Sequence, residues 1–224
     1  MTRAFCGDCL DAMRSMPDNA FSLAVCDPPY GIGEGGQKNV SRGLECAPTT
    51  YHCYPDVVPP PEVFREIFRV SKHQIIFGAN HFISRIPFDA SCWLVWDKQN
   101  GANDFADCEL AWTSLPGAVR VFRFTWNGML QGNPKARQVR IHPNEKPFDL
   151  YRWIFRKYAK PGDRILDPFL GSGSSRIAAH DMGLDFTGYE IDPEYFRLQE
   201  ERFTRYAAQC SLFVNDAGEV TTNV

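Results

Sequence analysis

The sequence has no apolar run of the ~20 residues needed to cross a bilayer, which excludes a membrane-spanning helix. Met1 to Phe5 lack the charged-then-apolar pattern of a secretion signal, which predicts a cytoplasmic protein. No internal repeat and no low-complexity tract is present, so a repeat array is excluded. The spacing Cys6-Gly7-Asp8-Cys9 has no second Cys-x-x-Cys to complete it. Cys46, His52 and Cys53 could add zinc ligands, but Cys6 and Cys9 straddle an acid with another use. No metal is therefore expected, and the eight cysteines are expected to be free thiols. Charge is also scarce: the net value is −3, which taken alone argues against a polyanionic partner.

What is present fits one globular domain. A chain of 224 residues with 44% hydrophobic and 23% charged residues can bury a full core. Asp27-Pro28-Pro29-Tyr30 is its most informative feature. The motif follows an apolar run, Phe21 to Cys26, and precedes Gly31, Gly33, Gly35 and Gly36. Proline fixes φ and removes an amide donor, so this corner cannot relax into a helix. The Asp27 carboxylate and a proline carbonyl can accept two N–H bonds from an exocyclic amine. Tyr30 can stack on a flat ring. Read alone, the tetrapeptide could equally be a surface turn.

A second motif lies late in the chain. Arg164 to Asp167 reads as a strand, and Pro168-Phe169-Leu170-Gly171-Ser172-Gly173 as a glycine loop. A helical pattern follows from Ser174 to Met182, then a strand from Asp185 to Tyr189 that ends on Glu190. Such a β–α–β unit lets backbone approach a ligand closely, and Glu190 is placed to accept from ribose hydroxyls. A nicotinamide site is the competing reading. A dinucleotide fingerprint, however, needs a third glycine where this chain has Arg176.

Together these residues resemble the amino-directed DNA methyltransferases, which methylate exocyclic nitrogen with S-adenosyl-L-methionine. Asp27 to Tyr30 matches the family's DPPY motif, and Asp167-Pro-Phe-Leu-Gly-Ser-Gly its cofactor loop. His142-Pro143-Asn144-Glu145-Lys146-Pro147 is similar to its HPTxKP segment, with Asn144 in place of Thr. The catalytic motif comes first and the loop late, the order of the β class. The resemblance spans Gly7-Asp8 to Asp192. It implies a Rossmann-like, doubly wound sheet of seven mostly parallel strands, with one antiparallel strand near an edge. It implies Asp27, Pro28, Pro29 and Tyr30 as catalytic residues. Cofactor contacts would be Asp8, Lys146, Asp167, Phe169, Gly171, Ser172, Gly173 and Glu190. Asp8 is equally readable as a helix N-cap, and Lys146 could instead meet a DNA phosphate. Aspartate at position 27 favours adenine-N6; N4-cytosine methylation is the nearest rival. RNA or a protein glutamine as acceptor, and a non-catalytic nucleic-acid-binding module, are further alternatives.

The pass along the chain gives alternating strands and helices, as a doubly wound sheet requires. Strands are expected at Ala4–Cys6, Ser22–Cys26, Gln74–Gly78, Cys92–Asp97, Glu109–Thr113 and Arg120–Trp126. Helices are expected at Leu10–Met16, Pro59–Val70, Pro147–Tyr158 and Glu194–Ala208. Residues 31–58 read as a long mobile loop, residues 98–140 as a small embedded target-recognition region, and Ser211–Val224 as a loose tail. Charge is uneven: residues 118–160 hold ten Lys and Arg against two acids, so this segment is +8 and the remainder −11. Arg120, Arg123, Lys135, Arg137 and Arg140 are its candidate DNA contacts. The expected partner is double-stranded DNA with the target base flipped out. One small domain covers few base pairs, which makes a homodimer plausible.

Overall fold

The computed structural model describes residues 1–35, 51–101, 106–127, 130–132 and 139–211. The chain opens with strand β1 (Thr2–Cys6), helix α1 (Cys9–Arg14) and strand β2 (Phe21–Cys26). Helix α2 (Pro61–Val70) and strand β3 (Ser71–Phe77) follow. Strands β4 (Trp93–Asp97), β5 (Cys108–Thr113) and β6 (Arg120–Arg123) come next, then a two-stranded ribbon of β7 (Trp126–Asn127) and β8 (Leu130–Gln131). Helix α3 (Phe148–Tyr158), strand β9 (Arg164–Asp167), helix α4 (Ser174–Asp181), strand β10 (Asp185–Glu190) and helix α5 (Pro193–Ser211) complete it. Among the described residues no helix is long and apolar enough to cross a membrane.

Among the described residues the main sheet has eight strands in the order β1-β10-β9-β2-β3-β5-β4-β6, one more than expected. The extra strand is β6, which pairs in parallel with β4 from Leu94↔Arg120 to Asp97↔Arg123. Among the described strands of this sheet only β5 runs antiparallel, the third from that edge. The expected strand from Arg120 to Trp126 breaks after Arg123. Trp126 turns inward instead, is 5% exposed, and donates its indole N–H to the Glu145 carbonyl at 2.8 Å. Burying that ring with its donor satisfied outweighs two more residues of edge pairing.

Helices cover both faces of the sheet, so the buried stretches of its central strands, Leu23–Cys26 of β2, Ile75–Phe77 of β3 and Ile165–Leu166 of β9, are apolar. Strand β2 shows the period of two: Leu23 and Val25 join the core under α3 and α4, while Ala24 and Cys26 join the core under α1 and α2. Helix α2 starts on Pro61, where a missing N–H costs nothing, and buries Val63, Phe64, Ile67 and Val70 along one stripe. The order of strands reverses between β9 and β2. Their parallel register, Leu23↔Ile165 and Ala24↔Leu166, makes their carboxyl ends neighbours. A crevice at such a reversal is where doubly wound sheets gather ligands.

Residues 31–35 and 51–58 carry no helix or strand. The rest of the expected mobile loop, the end of the expected tail beyond Ser211, and parts of the expected recognition region lie outside the described residues.

Candidate active site

Asp27 to Tyr30 leaves the end of β2 into the crevice. The Tyr30 hydroxyl donates to Asp27 Oδ1 at 2.7 Å, and the Lys146 ammonium donates to the same oxygen at 2.5 Å. Among the described residues Oδ2 takes no hydrogen bond. The Tyr30 ring packs against Gly78, where a Cβ would lie 2.1 Å from Cε1; only glycine fits there, and φ is +65°. His81 stacks on Tyr30 at 5.4 Å between centroids.

Lys146 does not present its charge to solvent, as a lysine awaiting a phosphate would. It is 4% exposed and also lies 3.0 Å from the Tyr30 hydroxyl and 3.2 Å from Glu109 Oε2. Glu109, on β5, pairs through its other oxygen with Lys98 at 2.6 Å. The result is a half-buried to buried chain of alternating charge: Lys98, Glu109, Lys146, Asp27. Burial pushes the Asp27 carboxyl up against the pull of Lys146. Burial acts on Glu109 too, but Lys146 and Lys98 outweigh it and hold Glu109 at about 2. Burial pulls the Lys146 ammonium down, and its two carboxylates more than reverse this. Burial, then the charges of Asp27 and Glu109, drive the Tyr30 hydroxyl well up.

Across the strand reversal stands the glycine loop. Gly171 and Gly173 hold φ of +52° and +75°, a region glycine enters freely. Glu190 braces the loop, accepting from the Gly171 amide at 2.7 Å and the Asp192 amide at 2.9 Å. Asp167 is 1% exposed and accepts from the Ser175 hydroxyl at 2.5 Å and the Phe169 amide at 3.0 Å. Burial pushes the Asp167 carboxyl up to about 7. Ser172 is buried, its hydroxyl 3.1 Å from that of Ser174. Asp8 caps α1, accepting from the Leu10 amide at 2.7 Å, as its N-cap reading expects. Gly7 joins the same edge through its amide to the Glu190 carbonyl at 2.8 Å.

A third group bridges the two halves. Tyr54, His142 and Tyr195 meet with centroids 5.2 Å apart for Tyr54–His142 and 4.3 Å apart for His142–Tyr195. Asn144 donates to the Tyr54 hydroxyl at 2.7 Å and to the Glu34 carbonyl at 3.1 Å. The amide NH2 has two N–H donors and makes both bonds; the hydroxyl of the family motif's threonine has one. Burial, then the Lys146 charge, lower His142 to about 3, so this imidazole is neutral. The Asp56 carboxylate accepts from the successive amides of Gly31, Ile32, Gly33 and Glu34 at 2.7–3.0 Å.

Sequence reasoning missed Glu109, Lys98, Tyr54, Asp56 and Tyr195. The one signal for Glu109 was an acid at the mouth of an otherwise apolar strand, Leu110-Ala111-Trp112. Of the candidate DNA contacts, Arg120 and Arg123 are exposed on β6, with Arg123 3.4 Å from Asp97. Arg140 is half-buried over the Trp126 ring at 4.8 Å. Lys135 and Arg137 lie outside the described residues.

Residues 96–201 match the family model described as DNA methylase, N6/N4 type. The type II methyltransferase M.HpaI of Haemophilus parainfluenzae is 24% identical, the match covering 89% of this chain and 73% of that protein. The candidate methylase YubD of Escherichia coli (strain K12) is 26% identical, with 90% of each chain covered. Among solved structures, the candidate DNA modification methylase TTHA0409 of Thermus thermophilus, complexed with S-adenosyl-L-methionine, has a TM-score of 0.58 at 22% identity. The match covers 92% of this chain and 96% of that one. The PvuII cytosine-N4-specific DNA methyltransferase has a TM-score of 0.57 at 14% identity, covering 93% and 92%. The solved structures share the fold, and the matched segment reaches from the strand before Lys98 through the lysine motif and the glycine loop into α5. The matched segment is just under half of the chain, which is thus similar to the N6-adenine and N4-cytosine DNA methylases.

Proposed function

We propose that the chain is an S-adenosyl-L-methionine-dependent DNA methyltransferase acting on the N6 amine of a flipped-out adenine. One observation carries this reading: Asp27 to Tyr30 and the glycine loop leave neighbouring strands β2 and β9 at the point where the strand order reverses.

The cofactor half suits its ligand. Gly171 and Gly173 leave the loop backbone unshielded by any Cβ, and the acids Glu190 and Asp167 stand beside it. Glu190 takes the ribose hydroxyls and Asp167 the ammonium. Phe169, Ser172 and the two glycines wrap the methionine end, and Asp8 meets the adenine amine. When bound, S-adenosyl-L-methionine supplies an electrophilic methyl group.

The acceptor half prepares the amine. An exocyclic nitrogen is a poor nucleophile because its lone pair is delocalised into the ring. Asp27 Oδ2 and the Pro28 carbonyl accept its two N–H bonds, which favours a tetrahedral nitrogen with the lone pair directed outward. Pro29 keeps the corner rigid, and Tyr30 fixes the ring. Positioning of this kind supplies up to ~7–11 kcal/mol of a barrier, and hydrogen bonds to the charge developing on nitrogen add a few more. No covalent intermediate is needed, so no cysteine has to act. Opening the duplex costs a few kcal/mol, which phosphate contacts from Arg120, Arg123, Lys135, Arg137 and Arg140 help to offset.

N4-cytosine is the second reading, since the PvuII enzyme of that specificity shares the fold; aspartate at position 27 favours adenine. Transfer of label from tritiated S-adenosyl-L-methionine to mixed genomic DNA, followed by nucleoside analysis, decides. Label in N6-methyladenine is the expected result. Label in N4-methylcytosine selects the second reading, and cofactor binding without any transfer overturns both.

A further inference from the structure

The ammonium of Lys146 has three protons to donate, and the structure gives it three oxygens: Asp27 Oδ1 at 2.5 Å, the Tyr30 hydroxyl at 3.0 Å and Glu109 Oε2 at 3.2 Å. No donor is left for a phosphate or a cofactor carboxylate. The lysine is almost wholly enclosed, its ammonium 5.0 Å from the Phe77 ring centroid. It comes from the segment before α3, 119 residues from Asp27, while Glu109 comes from β5, the antiparallel strand of the main sheet. Three segments distant in sequence thus converge on one ammonium, and stripping Asp27, Glu109 and Lys146 of water to do so is costly unless something is gained.

We infer that Lys146 is a positioning residue that holds Asp27 in its ionised, acceptor-only form, and that Glu109 sets the strength of that hold. This rests on the functional reading above. A carboxylate buried without a partner takes up a proton, and its acid form then carries an O–H donor. A donor facing the N–H of an amine is repelled, and the lone pair stays in the ring. Lys146 prevents this while leaving Oδ2 open. Glu109 competes for the same ammonium, and Lys98 takes part of the Glu109 charge away. The pull on Asp27 is therefore a balance among side chains, not one contact. The other titratable and charged groups acting on this centre include Tyr30, Tyr151 of α3, Asp167 of β9, Cys26, Tyr54, His142 and, through Glu109, Arg140.

The two carboxylate neighbours of Lys146 make the inference testable by sign. Removing the ammonium in Lys146→Met removes an attraction, so Asp27 protonates at higher pH. Removing the rival charge in Glu109→Gln removes a repulsion and frees Lys146 for Asp27, so Asp27 protonates at lower pH. The first readout is the Asp27 carboxyl titration, followed by carbon-13 NMR in the full chain without cofactor. The second is the single-turnover rate of methyl transfer to DNA against pH. The acid limb should rise by about 1–3 pH units in Lys146→Met and fall in Glu109→Gln, with S-adenosyl-L-methionine affinity changed by less than about threefold. Lys146→Arg, which keeps the charge, should stay near the parent limb.

Displacements in the same direction, or none, overturn the inference, because loss of packing alone has no reason to change sign. Loss of cofactor binding in Lys146→Met also overturns it, returning the lysine to the cofactor site. If Lys146→Met does not fold, Glu109→Gln decides alone: a fall supports the inference, and a rise or no change ends it. The NMR titration does not depend on activity. A parent chain that methylates no DNA sinks the functional reading, while opposite titration shifts still establish the control of Asp27.

Discussion

The two halves of the crevice are built by different physics. On the cofactor side the acids hold backbone. Asp167, Glu190 and Asp192 accept from amides two to nineteen residues away, and the glycines supply the turn. On the acceptor side the acids hold charge. Asp27 and Glu109, on separate segments, share a lysine that lies 119 residues along the chain from Asp27. A backbone cradle is stiff and local. A charge chain depends on the protonation of each member, so it can be tuned, and it can fail at one link. One acid from each side responds to pH in opposite ways. Burial raises Asp167 to about 7, whereas Lys146 and Lys98 overcome burial to hold Glu109 at about 2.

The largest effect that would sharpen the comparison is at Asp27. Asp27→Ala should reduce methyl transfer by ~10³-fold or more while cofactor affinity stays within a fewfold. Loss of both together would mean the halves are not separable. The counterpart on the cofactor side is Gly173→Val. Its φ of +75° strains any β-branched residue, and the new Cβ would sit 3.1 Å from Gln199 Oε1. Cofactor affinity should fall by ~10–100-fold, with stability lowered by about 1–3 kcal/mol, as titration calorimetry and thermal melts would show. Tyr30 comes next. Tyr30→Ala should weaken transfer more than Tyr30→Phe, because the ring holds the base. Tyr30→Phe should still cost a measurable amount, since the hydroxyl binds both Asp27 and Lys146. Equal damage from the two variants would count against stacking.

Smaller effects concern acid and salt. Glu109 titrates below its ordinary 4.5, so its contribution to stability is full above that value and fades as pH falls toward 2. Asp167 titrates above its ordinary 3.8, so its contribution is full in acid and fades as pH rises through 7. Denaturant melts across pH should therefore show Glu109→Gln less sensitive to acid than the parent, by roughly 1–3 kcal/mol at most, and Asp167→Asn less sensitive to neutral pH. The same direction for both would erase the contrast. The smallest expected change is at the far sheet edge. Arg120→Ala and Arg123→Ala should each lower the slope of DNA affinity against salt by about one and leave the pH profile unmoved.

Much of this molecule was determined by sequence. Alternating apolar strands, the proline corner after Phe21–Cys26 and the glycine pair after Arg164–Asp167 are local signals. They act through φ/ψ limits and side-chain period, which a few residues settle among themselves. Asp8 was open between two readings, and its geometry is that of a cap. What only the tertiary structure decided is of another kind. The eighth strand exists because β4 offers an open edge to Arg120–Arg123, and Trp126 ends it because a ring that size is worth more inside. Lys146 left the expected ligand surface because two carboxylates, from segments with no sequence relation to it, converge where water is excluded. Coulomb attraction in such a place depends on distance through space and burial, and neither is recorded in the spacing of residues along the chain.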